Sequence, residues 1–514
     1  MADSFDKPDA LAAAATFCPE PSRPYVLAAA ILASALGFID GSILAIAMPA
    51  MRENIGATLA EAQWISNAYA LTLSALILVG GAAGDRFGLR NIFVAGIALF
   101  VCASLACALA PDPSTLIVFR AIQGIGAAIM TPTSLAIIAK AYPKAERGRA
   151  IGIWAAASAL TTALGPVIGG FALSVFGAGV WRFIFAINLP LGALAIYLLL
   201  AKTPPDRASE RRHLYLVGAL LAALGFGAVA YGLTALGGEG ASTYALSVNL
   251  AIAAAGFFVL GVFGWWERRQ LDPMVNLDLF GNRVFSGANV ATFFLYFSLS
   301  AILFYLPMLL IAGWKLSVGT VGFVFLPLSA AIAVLSGPVG RLSDRIGVRT
   351  PIALGSAVVG VAFAGLAGVT ASGWHAFWLV VFPLMVLMGL GMALVVSPLS
   401  TAVMTSVADR DAGAASGVNN AVARVAGLMA VAAMGAVAAI VYSLSLAASP
   451  ESAAIPGFGE LVAAPLAPSL EQLRVVASDR AFAAVAFFAA IFCFVSAFVA
   501  WSSLDAAGPD KPRD

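Results

Sequence analysis

Apolar segments long enough to cross a lipid bilayer recur along almost the whole sequence. A transmembrane helix needs about 20 predominantly apolar residues. Only 11% of the residues are charged, against roughly 25% in soluble globular proteins. Inside hydrocarbon each backbone polar group needs a partner within the chain, so the sequence predicts an all-α membrane protein. The fourteen predicted spans lie at about 25–51, 61–83, 92–110, 114–138, 150–175, 183–201, 214–236, 245–266, 284–313, 317–338, 350–370, 375–399, 413–443 and 481–503.

The lysine and arginine residues indicate how the spans are oriented. With a cytoplasmic N-terminus, roughly 21 of the 28 lie on the cytoplasmic side and about 5 outside, as the positive-inside rule requires. The first residues are polar and acidic, which favours a retained first span over a cleaved secretory signal. An even number of spans then places both termini in the cytoplasm. We expect a multi-pass protein of the bacterial inner membrane.

A repeated motif divides the chain into two halves. GDRFGLR follows the second predicted span and SDRIGVR follows the tenth. If each motif joins the second and third helices of a six-helix bundle, the seventh and eighth spans are an inserted pair. Secondary transporters are often built from two such halves, with the binding site near the membrane midplane. The predicted units are a cytoplasmic tail, the first bundle, linkers with the inserted pair, the second bundle and a second tail, at 1–24, 25–202, 203–283, 284–503 and 504–514.

Six short segments resemble signatures of a known transporter family. Three match the Major Facilitator Superfamily in general, namely GAAGDRFGLR (81–90), RAIQGIGAA (120–128) and GPVIGG (165–170). Three match its fourteen-helix drug:proton antiporters, namely IDGSILAIAMP (39–49), QWISNAY (63–69) and WRFIFAINLPLG (181–192). They occur in the right order and on the right spans. The resemblance covers nearly the whole chain and implies the major facilitator fold, with two six-helix bundles plus two inserted helices.

Asp40 is the acid that the predicted spans place deepest in the bilayer, and the other 25 acids are assigned to loops, tails or span ends. A carboxylate there costs several kcal/mol, at the low end roughly 2.5–3.5. Burial favours the neutral form of a carboxyl group and a nearby cation favours the charged form, so Asp40 is a candidate proton carrier. A structural ion pair is the alternative. The resemblance implies proton or cationic-substrate coupling here, although Ala45 replaces a usual asparagine nearby.

Arg120 is the expected partner of Asp40. At 1.5 Å per residue, Asp40 lies roughly 12 Å and Arg120 roughly 9 Å below the outer ends of their predicted spans. Because arginine stays protonated, Arg120 is able to hold the carboxylate in one conformation and release it in another. The alternative is that its side chain extends to the outer surface. Gln123 lies one turn further along the same face of the span.

The second half carries one deep cation. Arg424 lies near the midplane of the thirteenth span, shortly after Asn419, and no acid shares its predicted depth. Two roles for Arg424 are equally open. Its side chain could donate hydrogen bonds to backbone carbonyls of a neighbouring helix, or it could have a functional role, such as an anion site. Both residues are candidates for the lining of the substrate cavity.

Aromatic residues are further candidates, because aromatic faces bind lipophilic cations. Trp64 and Tyr69 belong to a segment that matches the fourteen-helix group. The ninth span adds weaker candidates, for which simple packing is the alternative: Phe293, Phe294, Tyr296 and Phe297.

Two glycine-containing motifs concern conformational change. The resemblance implies a conformational latch at the repeated loop motif, and a solvated ion pair in a tight turn is the alternative. The residues of the predicted latch are Gly81, Asp85, Arg86, Gly88, Asp344 and Arg345. GPVIGG lacks one backbone N–H and offers closely packing glycines. The resemblance makes it a pivot of antiporters, formed by Gly165, Pro166, Gly169 and Gly170, whereas a generic contact of small residues between helices is the alternative.

These features predict a proton-coupled multidrug efflux transporter that exports lipophilic, cationic or neutral compounds by alternating access. A dedicated exporter or importer of one metabolite is the alternative. An enzyme or a direct ATP-driven pump is disfavoured because the sequence has no phosphate-binding G-x-x-x-x-G-K motif and no histidine or cysteine cluster for a metal. The expected partners are small lipophilic substrates, protons and lipid. No cofactor beyond the proton gradient and no nucleic acid is expected, and a periplasmic adaptor is left open.

Overall fold

The structure is a computed structural model that describes residues 17–206, 215–237, 243–408, 411–447, 454–462 and 464–504. These residues form helices and connecting loops, with no β-strand among them. They contain fourteen helices long and apolar enough to cross a membrane, numbered α1 to α14 here. Their bounds are Glu20–Ile55, Leu59–Phe87, Leu89–Leu109, Pro113–Ala141, Glu146–Phe176, Ala178–Lys202, Leu216–Leu236, Tyr244–Glu267, Arg283–Gly313, Val318–Ile346, Arg349–Ala371, Phe377–Thr405, Gly413–Leu446 and Pro468–Ser503.

Each predicted span coincides with one of these helices, which confirms the predicted fold class. The largest difference is at α14, which begins at Pro468 rather than near 481. The predicted spans leave a long loop at about 444–479, and this prediction is wrong from Pro468 onward. The charged residues in this stretch made its first turns too polar to be predicted as part of a span. In the structure, these charges have partners. Arg474 pairs with Glu471 at 2.8 Å and donates to the carbonyl oxygens of Ala312 and Gly313.

The two halves of the molecule repeat the same helix packing. In the first half the closely packed pairs are α2–α4, α3–α4, α1–α5 and α1–α6. The second half repeats these pairings eight helices later, as α10–α12, α11–α12, α9–α13 and α9–α14. The remaining helices, α7 and α8, pack against each other, and α7 also contacts α2 and α13. The inserted pair therefore lies beside the line along which the two halves meet.

Glycines allow the close approach of the helices within each half. A Cβ atom at Gly126 of α4 would lie 2.6 Å from the backbone nitrogen of Phe100 in α3. At the corresponding place in the second half, a Cβ atom at Gly391 of α12 would lie 2.8 Å from the carbonyl oxygen of Gly355 in α11. Neither site has room for a larger residue unless the helices separate.

The two sides of the membrane differ in how tightly the halves meet. We call the side on which α1 begins the tail side and the opposite side the far side. The hydrogen bonds that join described residues of one half to described residues of the other lie on the far side. Arg52 at the end of α1 donates to Phe458 O at 2.7 Å and to Glu460 at 2.6 Å. The backbone N–H of Gly319 in α10 donates to Ser174 of α5 at 2.8 Å. The far side is thus closed by specific contacts.

A cleft accompanies the α5–α10 contact. It has a volume of about 520 Å³ and is lined mainly by apolar groups, with Phe171 of α5 and Phe323 of α10 among them. The meeting line of α2 and α13, in contrast, is bordered by α7.

Candidate functional site

Asp40 and Arg120 form an ion pair inside the first half. Arg120 Nη1 lies 2.5 Å from Asp40 Oδ2, and each residue is only 1% exposed. Their predicted depths, derived from helix geometry alone, indicated this proximity. The alternative in which Arg120 extends to the surface does not occur. A charge pair this deeply buried is held only where further polar groups compensate the loss of water.

A network of amide and hydroxyl groups provides that compensation. Gln123 Nε2 donates to Asp40 Oδ1 at 3.0 Å and to Ser104 Oγ at 2.7 Å. Gln123 Oε1 accepts from Arg120 Nη1 at 2.6 Å. Asn188 of α6 donates to the same serine hydroxyl at 3.0 Å. Both carboxylate oxygens are therefore hydrogen-bonded, and four helices contribute to the network.

Arg120 has contacts beyond the carboxylate. Its Nε donates to Ile65 O in α2 at 3.1 Å. Its guanidinium carbon lies 4.4 Å from the centre of the Tyr69 ring and 5.7 Å from that of Phe185, within the range of cation–π attraction. Arg120 therefore keeps several partners if the carboxylate is protonated or moves away. This is the arrangement that a reversible ion pair requires.

The sequence analysis missed Ser104 and Asn188. Asn188 lies in WRFIFAINLPLG, one of the segments that match the fourteen-helix group, so it was detectable from the motif. Ser104 lies in an otherwise apolar part of α3, and single serines in spans are too common to single it out.

The polar residues of α2 differ in their surroundings. The ring of Trp64 lies 6.2 Å from that of Tyr231 in α7, so Trp64 faces the inserted pair. Asn67 is fully buried, and neither its amide oxygen nor its amide nitrogen has a hydrogen-bond partner among the described residues. Asn67 therefore has free hydrogen-bonding capacity, which the sequence analysis did not single out.

Asn419 connects two helices of the second half. Its side-chain amide donates to Asn289 Oδ1 at 3.2 Å and to Thr292 Oγ1 at 2.8 Å, both on α9. Its donors are therefore occupied in this conformation. Arg424, just over one turn further along α13, makes no hydrogen bond or ion pair within the described part of the chain. The backbone bonds considered as one role for Arg424 are not present.

The phenylalanines of α9 pack against α14. Phe294 and Phe297 lie 5.5 and 5.1 Å from the ring of Phe492, and Phe293 lies 6.1 Å from Phe297. These contacts join helices within the second half. Tyr296 of the same helix is partly buried.

The first loop motif is held by an acid that the sequence analysis did not predict. Asp206, just after α6, accepts hydrogen bonds from the backbone N–H groups of Leu89 and Arg90 at 2.8 and 2.9 Å. Lys140 at the end of α4 pairs with the same carboxylate at 3.1 Å. Gly88, with φ of +93°, makes the turn that exposes these N–H groups. A negative charge at a helix N-terminus is also favoured by the helix dipole.

The other predicted latch residues are placed as follows. Gly81 faces Pro132 of α4, and Asp85 is partly exposed at the end of α2. The exposed guanidinium of Arg86 lies 5.3 Å from the ring centre of Phe87. In the second half, Asp344 and Arg345 are exposed, and neither forms a hydrogen bond or ion pair with another described residue.

The GPVIGG segment has one face toward each half. A Cβ atom at Gly169 would lie 2.6 Å from Ile43 Cγ2 of α1, and Gly165 faces Ser42 in the same way at 2.9 Å. A Cβ atom at Gly170 would lie 2.7 Å from Val318 O of the second half. Pro166 completes this second face, since its carbonyl oxygen lies against Gly322. The segment therefore connects the helix that carries Asp40 with the opposite half.

A second buried acid occupies the far side of the second half. Asp479 of α14 is 4% exposed, although the sequence analysis placed it in a loop. It accepts from Trp314 Nε1 at 2.7 Å and lies 2.7 Å from His375 Nε2. The rings of Trp314 and His375 are 4.6 Å apart.

A repeated pair of six-helix bundles with a polar network buried in a membrane span defines a transporter rather than an enzyme. The chain belongs to the Major Facilitator Superfamily, whose family model matches residues 30–431. The predicted family resemblance is thereby confirmed. In the described residues no cluster of side chains suited to a metal ion occurs.

Curated relatives indicate the same class. The chain is 34% identical to the multidrug resistance protein Stp of Mycobacterium tuberculosis over 423 residues, covering 81% of this chain and 76% of that one. It is 32% identical to the puromycin resistance protein of Streptomyces alboniger, with coverages of 80% and 81%. It is 31% identical to the riboflavin transporter RibZ of Clostridioides difficile, with coverages of 73% and 79%.

Solved structures share the fold. A bacterial homologue of the human lysosomal transporter Spinster, in an inward-facing and unoccupied conformation, matches with a TM-score of 0.66 at 17% identity, over 95% of this chain and 99% of that one. A D-xylose–proton symporter matches with a TM-score of 0.62 at 14% identity, over 94% and 98%.

Proposed function

We propose that this transporter is a proton-coupled multidrug exporter of lipophilic, neutral or cationic compounds. The observation that supports this most directly is the Asp40–Arg120 pair, which is buried inside a span and in which Arg120 has further partners in Ile65 and Tyr69. Intramembrane ionisable residues of this kind commonly mark proton or substrate pathways. The names of several relatives, which refer to resistance against drugs and antibiotics, support the choice of substrate class.

The proposed cycle uses the two states of Asp40. As a carboxylate it is bound by Arg120 and Gln123 of α4, which holds α1 against α4. A proton on Asp40 cancels the charge attraction, while Arg120 keeps its contacts with Ile65 and Tyr69. α1 is then free to move together with the GPVIGG segment that packs on it. A cationic substrate reaches Asp40 only after Arg120 has released it, so proton and cation exclude each other.

The excess of lysine and arginine on one side of the predicted spans supports an orientation in the membrane. We propose that the tail side faces the cytoplasm of a bacterial cell, so that both termini are cytoplasmic. The closed far side then faces outward, and export requires opening of the Arg52 contacts to Phe458 and Glu460. The latch role of the loop motif, with Asp85 and Asp206, belongs to the same proposal.

Asp40→Asn tests the proposed coupling. The amide keeps the shape of the carboxyl group but cannot titrate, so proton-driven export should be abolished while the protein still inserts and folds. The measurement is export of a fluorescent lipophilic dye from cells, normalised to the amount of protein in the membrane. Wild-type export by Asp40→Asn at equal expression would show that the coupling site lies elsewhere.

A dedicated transporter of one metabolite is the second candidate, and similarity to the riboflavin transporter RibZ favours it. Resistance of expressing cells to a panel of dyes, biguanides and antibiotics separates the two. A multidrug exporter should protect cells against several structurally unrelated compounds. If the cells are protected against none of these compounds but transport riboflavin, the dedicated transporter is favoured.

A further inference from the structure

Arg424 lies on the face of α13 that packs against the first half. About two helical turns before it, a Cβ atom at Gly417 would lie 2.9 Å from Leu78 of α2. About three turns after it, Gly435 is covered by the side chain of Gln63, also of α2. Steps of whole turns return to the same face of a helix. Arg424 therefore faces the meeting line of the two halves, between these two contacts.

The two arginines inside the spans near this line differ in their partners. Arg120 is buried and bound to Asp40, Gln123 and Ile65. Arg424 is partly exposed and forms no hydrogen bond or ion pair with a described residue. The guanidinium is therefore placed between the halves and is available to a ligand.

The charges around this position do not cancel. The Asp40–Arg120 pair is neutral as a unit, and Arg424 adds one positive charge without a carboxylate among its described contacts. Because Arg424 is partly exposed, its charge is tolerated without a carboxylate, and an anionic ligand would gain the attraction of that charge. A guanidinium also presents several donors in a rigid plane, which matches the two oxygens of a carboxylate or sulfonate. The position is therefore suited to an anionic group.

We propose that Arg424 binds the acidic group of transported compounds, so that the substrate range includes lipophilic anions and zwitterions. This inference rests on the proposed export function and extends its substrate class. The acidic group would lie beside Arg424 at the meeting line of the two halves. Asp40 would not repel it, because Arg120 already neutralises the charge of Asp40. Asp40 and Arg424 then provide separate positions for groups of opposite charge.

A matched pair of fluorescent probes tests the assignment. 1-Anilinonaphthalene-8-sulfonate is a lipophilic anion, and N-phenyl-1-naphthylamine has the same aromatic body without the sulfonate. Binding is measured with the purified full-length protein in proteoliposomes without any gradient, against protein-free liposomes. Arg424→Gln should weaken binding of the sulfonate by about tenfold or more and leave binding of the amine within about twofold. Arg424→Lys should keep part of the sulfonate binding, because its charge remains.

Arg480→Gln is the control, since it removes an exposed arginine from the same half and should change binding of neither probe. Equal loss of both probes in Arg424→Gln, or no loss of either, would overturn the assignment. Because no gradient is applied, this result is independent of proton coupling, which Asp40→Asn tests separately. Intact sulfonate selectivity together with unimpaired export by Asp40→Asn would retain the anion site and reject the proposed coupling.

Discussion

Each oxygen of the Asp40 carboxylate accepts a hydrogen bond from α4, and the network continues through Gln123 to Ser104 and Asn188. At the scale of single residues, the site is therefore more than an ion pair. The acid and the arginine were predictable because charges are rare in spans and their depths follow from helix geometry. Ser104 was not predictable, because its role depends on which neighbours the fold brings to it.

Ser104→Ala should lower the stability of the protein. The change leaves amide hydrogens of Gln123 and Asn188 without their shared acceptor, at a cost of about 1–3 kcal/mol for a buried polar group. The apparent midpoint of thermal unfolding in detergent should fall by several degrees. Ser74→Ala is the control, since among the described residues the Ser74 hydroxyl bonds only to Ala70 O of its own helix. Equal midpoints for the two variants would mean that the network contributes little to stability.

At the scale of helices, motif positions indicated where helices approach one another but not which partners they meet. GPVIGG predicted a closely packed segment in α5, and the structure adds that it contacts α1 on one face and α10 on the other. Asp206 was overlooked because an acid just outside a span has no unusual cost. The start of α14 was misplaced because a hydropathy window excludes turns that carry charges. Such a window takes no account of the tertiary contacts that neutralise those charges in the fold.

Gly169→Ala should impair transport, because its new methyl group would lie 2.6 Å from Ile43 Cγ2 and force α5 away from α1. Combining it with Ile43→Ala removes the clashing atoms and should restore export substantially. Gly152→Ala on the same helix is the control, since a Cβ atom there meets nothing within 4 Å. Export rates are compared at equal expression. A double variant as inactive as Gly169→Ala would show that the defect is not this contact.

At the scale of the whole molecule, the number of titrating groups inside the spans decides the driving force. If the proposed exporter uses Asp40 as its one coupling acid, with Asp479 not taking part, one proton enters for each substrate exported. For a monovalent cation no net charge crosses, so the membrane potential, worth about 2.3 kcal/mol per charge per 100 mV, contributes nothing. The pH gradient alone drives export, at about 1.4 kcal/mol per pH unit. Export of a monovalent anion in exchange for one proton, in contrast, moves two charges.

Proteoliposomes with a potassium–valinomycin clamp measure this difference. Flux of a monovalent lipophilic cation should follow the pH gradient and be insensitive to potential at zero pH gradient. A lipophilic anion provides the internal comparison, since its flux should increase with potential. A steep dependence of cation flux on potential would reveal a second coupled proton and hence another titrating group.

The two halves meet along two lines that face the surrounding membrane, and the inserted pair covers one of these lines but not the other. On one edge α7 borders the line where α2 meets α13. On the other edge, where α5 meets α10, the apolar cleft beside Phe171 and Phe323 opens at the surface. An acyl chain of the bilayer therefore meets exposed apolar side chains of α7, such as Leu220 and Leu224, at the first edge and a cleft at the second. The two halves are alike in their packing, yet the bilayer surrounds them unequally.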